Sequence, residues 1–394
     1  MKALHVIPAV AARYGGPSHA VFEMCHALES AGTQVLIATT DADGPDRIPT
    51  TYGQEIEFQG QHSIFFQKQW SEAFKYSRPL AKWLVANVKN YDVVHIHAVF
   101  SHSCLAAAAA ARFKGVPYIV RPLGTLDPWS MRQKPFRKRA MWNLGVGKML
   151  KEAAAVHYTA TDEMNLAEQS LGLRRGVVIP LGIDQTYFEL PEPDKIFSDK
   201  HPSLSNAPYV LALCRLHPKK GLELLIDTFL DLAKNRGNDR WKLVLAGDGE
   251  PGYVESLKAR ANQGNGNNSI VFAGWVSGDE KRSAIQNASL LALPSHQENF
   301  GLCVVEAMAC GVPVLISPHV NLSSDVKRSN SGWVAELDPA EFKKILSEAM
   351  NSDDERSLRG SSGREFARHE FHWPALAERI NDLYRKVILS HRLN

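Results

Sequence analysis

At 394 residues the chain is too long for one ordinary core, so two domains of about 200 residues each are expected. Hydrophobic content of 44% and charged content of 22% are those of a soluble globular protein, and no apolar run reaches the ~18 residues of a membrane span. The net charge of +3 excludes nothing by itself, but its distribution is uneven.

The opening Met1-Lys-Ala-Leu-His-Val-Ile-Pro8 has one basic residue, a short apolar run and no small-residue cleavage site. It reads as a first strand, Ala3 to Val10, rather than a leader. Tyr14-Gly-Gly-Pro17 follows and precedes a helix expected from about Pro17 to Ala31. Glycine in such a loop lets backbone approach a phosphate, although it is not the G-x-G-x-x-G of dinucleotide binding, which argues against an NAD or FAD enzyme. A strand is expected over Gln34 to Thr39. The next segment holds Asp41-Ala-Asp43, which has the D-x-D form of metal-dependent transferases of another fold but sits among turn formers and reads as a loop.

Asp92-Val-Val-His-Ile-His97 closes a strand over Val93 to His97, with both imidazoles on one side by alternation. His95 reads as a hydrogen-bonded core residue, and His97, nearer the strand end, as the candidate for ligand contact. A helix through the alanines 105 to 112 and a strand from Tyr118 to Val120 follow; the alternation predicts parallel βαβ units. Between Ala111 and Lys151 ten basic residues face a single acid, Asp127, and Trp129, Phe136 and Trp142 are interleaved with Arg132, Lys134, Arg137, Lys138 and Arg139. That mixture suits an anionic membrane surface; a solvated basic helix and nucleic-acid binding are the other readings, the last disfavoured.

Leu190-Pro-Glu-Pro-Asp and the polar run to Asn206-Ala-Pro208 read as a linker. The alternation then restarts with Tyr209 to Cys214, a helix from Gly221 to Asn235, and strands over Trp241 to Ala246, Ile270 to Phe272, Leu290 to Leu293 and Val312 to Ile316. Arg215 stands just past the first of these strands and Lys220 at the start of the helix. After Leu290–Leu293, Glu298 falls in a loop and Glu306 one turn into a helix that starts near Gly301, whose bare N-terminus suits an anion. Such a terminus contributes only ~0.3 to 2 kcal/mol. Charge-assisted hydrogen bonds add roughly 1.5 to 3 kcal/mol each, so Arg215 and Lys220 supply what the helix cannot. The final Phe371 to Tyr384 reads as an amphipathic helix. The five cysteines form no CxxC pair and read as reduced core residues of a cytoplasmic protein, not a zinc site.

Together these motifs resemble the retaining glycosyltransferases of family 4. Glu298-Asn-Phe-Gly-Leu-Cys-Val-Val-Glu306 matches that family's E-x-F-G-x(4)-E signature, Arg215 and Lys220 its R-x(4)-K pair, and Asp92 to His97 its D-x-x-H-x-H strand end. Ile179 to Phe188, Ala246-Gly-Asp-Gly249, Phe272-Ala-Gly-Trp-Val276 and Phe371-His-Trp373 match further segments, in order along almost the whole chain. Two positions depart from the pattern: Leu181 where the family usually has Asn, and Arg121 where many members carry a histidine that contacts the donor sugar.

The resemblance implies an α/β protein of GT-B fold, with two Rossmann-like parallel-sheet domains facing a central cleft. Residues 1–190 are expected to bind the acceptor, 191–207 to link, 208–372 to bind a nucleotide-sugar, and helix 373–394 to pack back on the first domain. It implies that Glu306 bonds ribose hydroxyls and Glu298 donor-sugar hydroxyls, while Arg215 and Lys220 neutralise the leaving diphosphate. Asn299 and the amides of Phe300, Gly301 and Leu302 would touch what lies between. Gly15 and Gly16 would cover the diphosphate from the opposite side, Gly247, Trp275 and Val276 would complete the donor site, and His97 would touch sugar or acceptor. Arg121 is left three roles: the donor, an acidic acceptor, or an ion pair with Asp127.

The expected activity is retaining transfer of a hexose, with no cofactor and no metal. UDP-glucose is the expected donor on family frequency, and the expected acceptor is a saccharide or lipid-linked acceptor in envelope or exopolysaccharide synthesis. The expected location is cytoplasmic, peripheral on the inner face of the membrane through residues 129–151. A nucleotide-sugar epimerase of the same fold and an inactive sugar-nucleotide-binding subunit are the alternatives.

Overall fold

The computed structural model describes residues 1–70, 72–189, 195–205, 207–234, 240–263 and 269–393, and divides into two units. Unit one is Met1–Gly182 with Trp373–Asn394, and unit two is Ile183–His372.

Unit one runs β1 (Lys2–Val6), α1 (Gly16–Ser30), β2 (Gln34–Thr40), a ribbon of β3 (Ala42–Asp43) and β4 (Asp46–Arg47), then β5 (Glu55–Phe58) and β6 (Gln61–Phe66). It continues with α2 (Arg78–Asn87), β7 (Val93–His97), α3 (His102–Lys114), β8 (Tyr118–Arg121), α4 (Pro128–Arg132), α5 (Pro135–Met141) and α6 (Gly147–Glu152). The strands β9 (Ala155–Tyr158) and β10 (Gly176–Val178) flank α7 (Thr161–Leu171). The eight-stranded sheet has the order β10-β9-β8-β7-β1-β2-β6-β5, parallel except for the β5–β6 hairpin. The chain winds one way from β1 to β2 and the other way from β7, so the switch point lies between β1 and β7, where open parallel sheets take their ligands.

Burial on both faces explains the near-continuous apolar strands. Alternation sends Leu4, Val6, Val94, Ile96 and Val120 into one core, with the small face of α3 (Ala107, Ala108, Ala111). Ala3, Ile7, Val93 and Ile119 enter the other. By the same alternation His5, His95, His97, Arg121 and His157 join this second face, and all five are fully buried.

Unit two runs α8 (Ile196–Lys200), β11 (Tyr209–Leu213), α9 (Leu222–Ala233), β12 (Lys242–Ala246), α10 (Pro251–Asn262), β13 (Ile270–Gly274), α11 (Gly278–Gln286) and β14 (Leu290–Leu293). Then come α12 (Leu302–Ala309), β15 (Val314–Ile316), α13 (Ser323–Ser329), β16 (Gly332–Val334), α14 (Pro339–Asn351) and α15 (Asp353–Glu370). Its sheet, β13-β12-β11-β14-β15-β16, is parallel throughout, with the switch point between β11 and β14.

The second unit starts ahead of the expected linker. Of that segment, 191–194 and 206 lie outside the described residues, as does Asn235 at the end of the expected α9. Residues 195–205 pack onto unit two instead of spanning freely: Phe197 is buried, and its amide donates to Ser283 Oγ at 3.1 Å on α11. α16 (Trp373–Leu393) belongs to unit one, where Leu376, Ile380, Leu383, Tyr384 and Val387 form a helical stripe in the second core. Each such side chain contributes about 1.5–3 kcal/mol, and Asn381 adds a polar anchor by accepting from Thr33 Oγ1 at 2.7 Å. Among the described residues no helix is long and apolar enough to cross a membrane.

Candidate functional site

In unit two the loops leaving β11 and β14 are fastened to each other. The Pro218–Lys220 turn follows β11, and the His296 amide donates to Lys219 O at 2.8 Å. Glu298 is strapped on its other side, its amide donating to His319 O at 3.0 Å while its carbonyl accepts from the Asn321 amide at 3.1 Å. This fixes both backbones so that Lys220 and Glu298 meet in a half-buried ion pair. Burial works against the Lys220 ammonium, yet the Glu298 carboxylate outweighs it and raises the lysine pKa. Arg215 is exposed and makes no ion pair among the described residues.

Gly247 sits at the end of β12 where the backbone of β11 passes so close that a Cβ would lie 1.9 Å from Cys214 O. Its amide donates to Gly274 O at 2.7 Å, which sets it beside Trp275, exposed, and Val276, buried.

Gly301 caps α12 in the left-handed region, φ 76°, with no side chain satisfying the helix amides. Phe300 is a core residue, its ring edge-on to Phe371 at 5.9 Å. This seats the loop so that the Gly301 and Leu302 amides stand at the helix end beside Asn299. One turn on, Glu306 is buried: Oε1 accepts from Lys281 Nζ at 2.5 Å, and Oε2 has no hydrogen-bond partner among the described residues. Sequence reasoning missed Lys281, which stands on α11 in the run Asp-Glu-Lys-Arg and reads there as one more solvated charge.

In unit one, Gly15 adopts φ 76° and ψ −148°, a conformation only glycine takes readily, and Gly16 starts α1. The loop is held by Tyr14, whose hydroxyl donates to Glu72 at 2.5 Å, accepts from the Gly44 amide at 2.9 Å, and lies under the Lys75 ammonium. Lys68 and Lys75 both pair with Glu72 and depress its pKa to about 2 against the cost of burial. In the nearby D-x-D segment, Asp41 is buried and accepts from the Lys68 amide at 2.6 Å, Arg47 at 2.9 Å and Tyr52 at 2.8 Å. Asp43 pairs with Arg13 at 2.6 Å, so both carboxylates are committed to protein.

His97, expected near a ligand, is as deeply buried as His95, because the chain continues past it into a packed segment that buries Val99. The two rings belong to a line of five aromatic side chains. His157 Nε2 lies 2.8 Å from Ile179 O and His157 Nδ1 3.2 Å from His95 Nε2; His95 Nδ1 lies 2.8 Å from Tyr384 Oη. Tyr384 Oη lies 3.1 Å from His5 Nε2, and His5 Nδ1 3.1 Å from His97 Nε2, with Cys25 Sγ 3.4 Å from the same His5 nitrogen. Burial, reinforced by the Arg121 charge, lowers His5 and His157 to about 3; burial first and neighbouring charges second hold His95 and His97 well below the ordinary value.

Arg121, opposite His97 across the β7–β8 register, has none of its guanidinium nitrogens hydrogen-bonded among the described residues, and burial lowers its pKa to about 10. No hydrogen bond joins it to Asp127, which caps α4 by accepting from the Ser130 amide at 2.8 Å. That removes the ion-pair role as a hydrogen-bonded contact; the carboxylate whose charge opposes it is Glu163. Nitrogens of His5, His95 and His97 lie within 4.8 Å of one another, a spacing open to a metal, but these rings already bond one another and Tyr384, and Arg121 penalises a second cation beside them.

The comparisons with known proteins follow the two units. Residues 15–182 match the family model described as "Glycosyl transferase 4-like domain", and residues 194–366 the one described as "Glycosyl transferases group 1". An uncharacterized glycosyltransferase of Methanocaldococcus jannaschii is 30% identical over 172 residues, 43% of this chain and 46% of that protein. The GDP-mannose-dependent alpha-(1-6)-phosphatidylinositol monomannoside mannosyltransferase of Mycobacterium tuberculosis is 26% identical over 217 residues, 52% of this chain and 55% of its own. The chain thus spans about half the length of these curated relatives. In structure it is similar to Anabaena HepE in complex with UDP and glucose, with a TM-score of 0.77 and 21% identity over 98% of this chain and 100% of that one, which speaks for the fold. With both units matched by glycosyltransferase models and the family's motifs in place, the chain belongs to the group 1, family-4-type glycosyltransferases of GT-B fold.

Proposed function

We propose that the protein is a retaining glycosyltransferase that moves a hexose from a nucleotide-sugar, UDP-glucose in our reading, to a saccharide or lipid-linked acceptor in envelope polysaccharide synthesis. The observation that carries this reading is the convergence on one unit of the Lys220–Glu298 pair, the uncapped start of α12, and a buried Glu306 with one oxygen free for hydroxyls. The UDP and glucose bound by HepE support the choice of donor.

In this reading the ribose hydroxyls donate to Glu306, and the diphosphate takes the Lys220 ammonium away from Glu298, with Arg215 and the α12 amides completing its cradle. Glu298, released from its partner, accepts hydroxyls of the donor sugar. The bond from the anomeric carbon to the diphosphate oxygen breaks, and the acceptor oxygen forms its bond on the same face. The acceptor proton passes to the departing phosphate oxygen, so Glu298 orients rather than deprotonates. Preorganised cations aimed at the developing phosphate charge supply the electrostatic stabilisation without cofactor or metal.

The basic stretch carries the acceptor side of the proposal. Phe136 is 89% exposed and Leu144 83%, among exposed Arg132, Lys134, Arg137, Arg139 and Lys148, a surface suited to anionic headgroups. Glu298→Ala tests the assignment. Turnover should fall about 100-fold or more with nucleoside diphosphate affinity nearly intact; a comparable loss of that affinity contradicts the role given to Glu298.

A further inference from the structure

The line of rings in unit one has a direction, and its far end sets it. Ile179 O can only accept, so His157 Nε2 carries a proton. A neutral His157 then leaves Nδ1 bare, and His95 Nε2 must donate to it. His95 Nδ1, bare in turn, accepts the Tyr384 hydroxyl proton, and the phenolic oxygen accepts from His5 Nε2. His5 Nδ1 is left as an acceptor, filled by His97 Nε2 and approached by the Cys25 thiol. Every link donates toward Ile179, and the chain ends on His97 Nδ1, a buried lone pair without a hydrogen-bond partner among the described residues, at the carboxyl end of β7 beside the switch point of the sheet. A single carbonyl thereby dictates the tautomer of four rings.

We propose that this relay is a positioning device: it holds His97 as a pure hydrogen-bond acceptor, which selects a ligand hydroxyl and refuses a carbonyl or phosphate oxygen, and Tyr384 and His157 are its positioning residues. The inference rests on the reading that unit one meets a saccharide, and adds which kind of group meets His97 and what sets its polarity. The buried Arg121 reinforces it, since a cation facing His5, His95, His97 and His157 opposes a second proton on any ring. Glu163, the carboxylate facing Arg121, is engaged by the Thr159 and Gly124 amides and the Thr159 hydroxyl and does not bond a ring. Tyr384 is the link that the fold alone provides, because α16 brings it to His95 across 289 residues of sequence.

The test is long-range proton–nitrogen NMR on the full chain labelled at histidine, with His97→Gln identifying the His97 signals. The expected result is a protonated Nε2 and a bare, pyridine-type Nδ1 on His97, unchanged from about pH 5.5 to 8, where exposed rings titrate. A proton on Nδ1, or titration within that range, overturns the proposal. Tyr384→Phe should let His97 populate both tautomers and lower turnover about tenfold, with UDP affinity on unit two within about twofold. His97 signals unchanged in that variant would mean that Tyr384 only fills space. If the tautomer is as predicted but the His97 signals ignore both saturating UDP-glucose and acceptor saccharides, hydroxyl recognition is wrong while the relay stands. Failure of UDP to bind unit two is the separate failure of the functional reading.

Discussion

Both units bring polar side chains together around the switch point of a parallel sheet, and treat them in opposite ways. In unit two the groups are charged, mostly buried and paired: Lys220 with Glu298, Lys281 with Glu306. In unit one they are neutral, fully buried and hydrogen-bonded in line, with one unpaired cation, Arg121, beside them. A charged pair that is not sealed from solvent can exchange one partner for another charge, which suits the diphosphate grip proposed for unit two. A buried chain cannot rearrange cheaply, because each broken link leaves an unsatisfied group costing about 1–3 kcal/mol, which suits fixed polarity.

The largest effect that sharpens this contrast is expected at Lys220. Lys220→Ala should lower turnover by about 10² to 10³ and, by leaving the mostly buried Glu298 unpaired, cost about 1–3 kcal/mol of stability; kinetics beside urea unfolding check it, and a stability loss without the loss of turnover makes the pair structural. Next comes Gly247→Ala, whose methyl collides with Cys214 O; urea midpoints should show a loss of roughly 2–3 kcal/mol. The reverse is expected of Arg121→Met. Removing an unpaired buried charge should raise stability by about 1–3 kcal/mol while transfer falls, and a drop in the thermal midpoint would show that Glu163 already compensates the guanidinium.

The remaining test of the contrast is the pH dependence. Burial pushes His5 and His157 down from the ordinary 6.5 to about 3, so the folded state binds fewer protons. Their contribution is complete above about pH 6.5 and is lost as pH falls toward 3, at about 1.4 kcal/mol per unit per ring. Glu72, lowered to about 2, loses its contribution only below 4.5, so the window from 4.5 to 6.5 belongs to the histidines, chiefly the four buried rings, with His102 and His217, also lowered by burial, acting in the same direction. Glu163, raised by burial, works in the opposite direction but is one group against four. Urea midpoints at steps between pH 8 and 5 should therefore decline below 6.5, and a flat profile contradicts a neutral buried layer.

Much of this was legible in the sequence. Leu290–Leu293 and Val93–His97 stand where their apolar runs place them, because buried parallel strands leave uninterrupted hydrophobic signatures. β5, β6, β9, β10 and β16 were not anticipated: Glu55–Phe58 and Gln61–Phe66 form an edge hairpin rich in polar residues, and the others are three or four residues long, too short for periodicity to register. In unit two, Glu298 and Glu306 stood out because local motif spacing carries them, while Lys281 did not, being 25 residues from its partner on a helix of charges. The ring relay was illegible for a related reason. His5, His157 and Tyr384 are single polar interruptions in apolar patterns, and only strand register and the return of α16 bring them together.

The most direct measurement of the central claim is isothermal titration of the purified protein with UDP, GDP and ADP, repeated with Glu306→Ala. Binding of UDP in preference to the others, lost by about tenfold or more in the variant, is the predicted result. Binding of none of them, or binding indifferent to the loss of Glu306, would contradict the assignment of unit two as the nucleotide-sugar site.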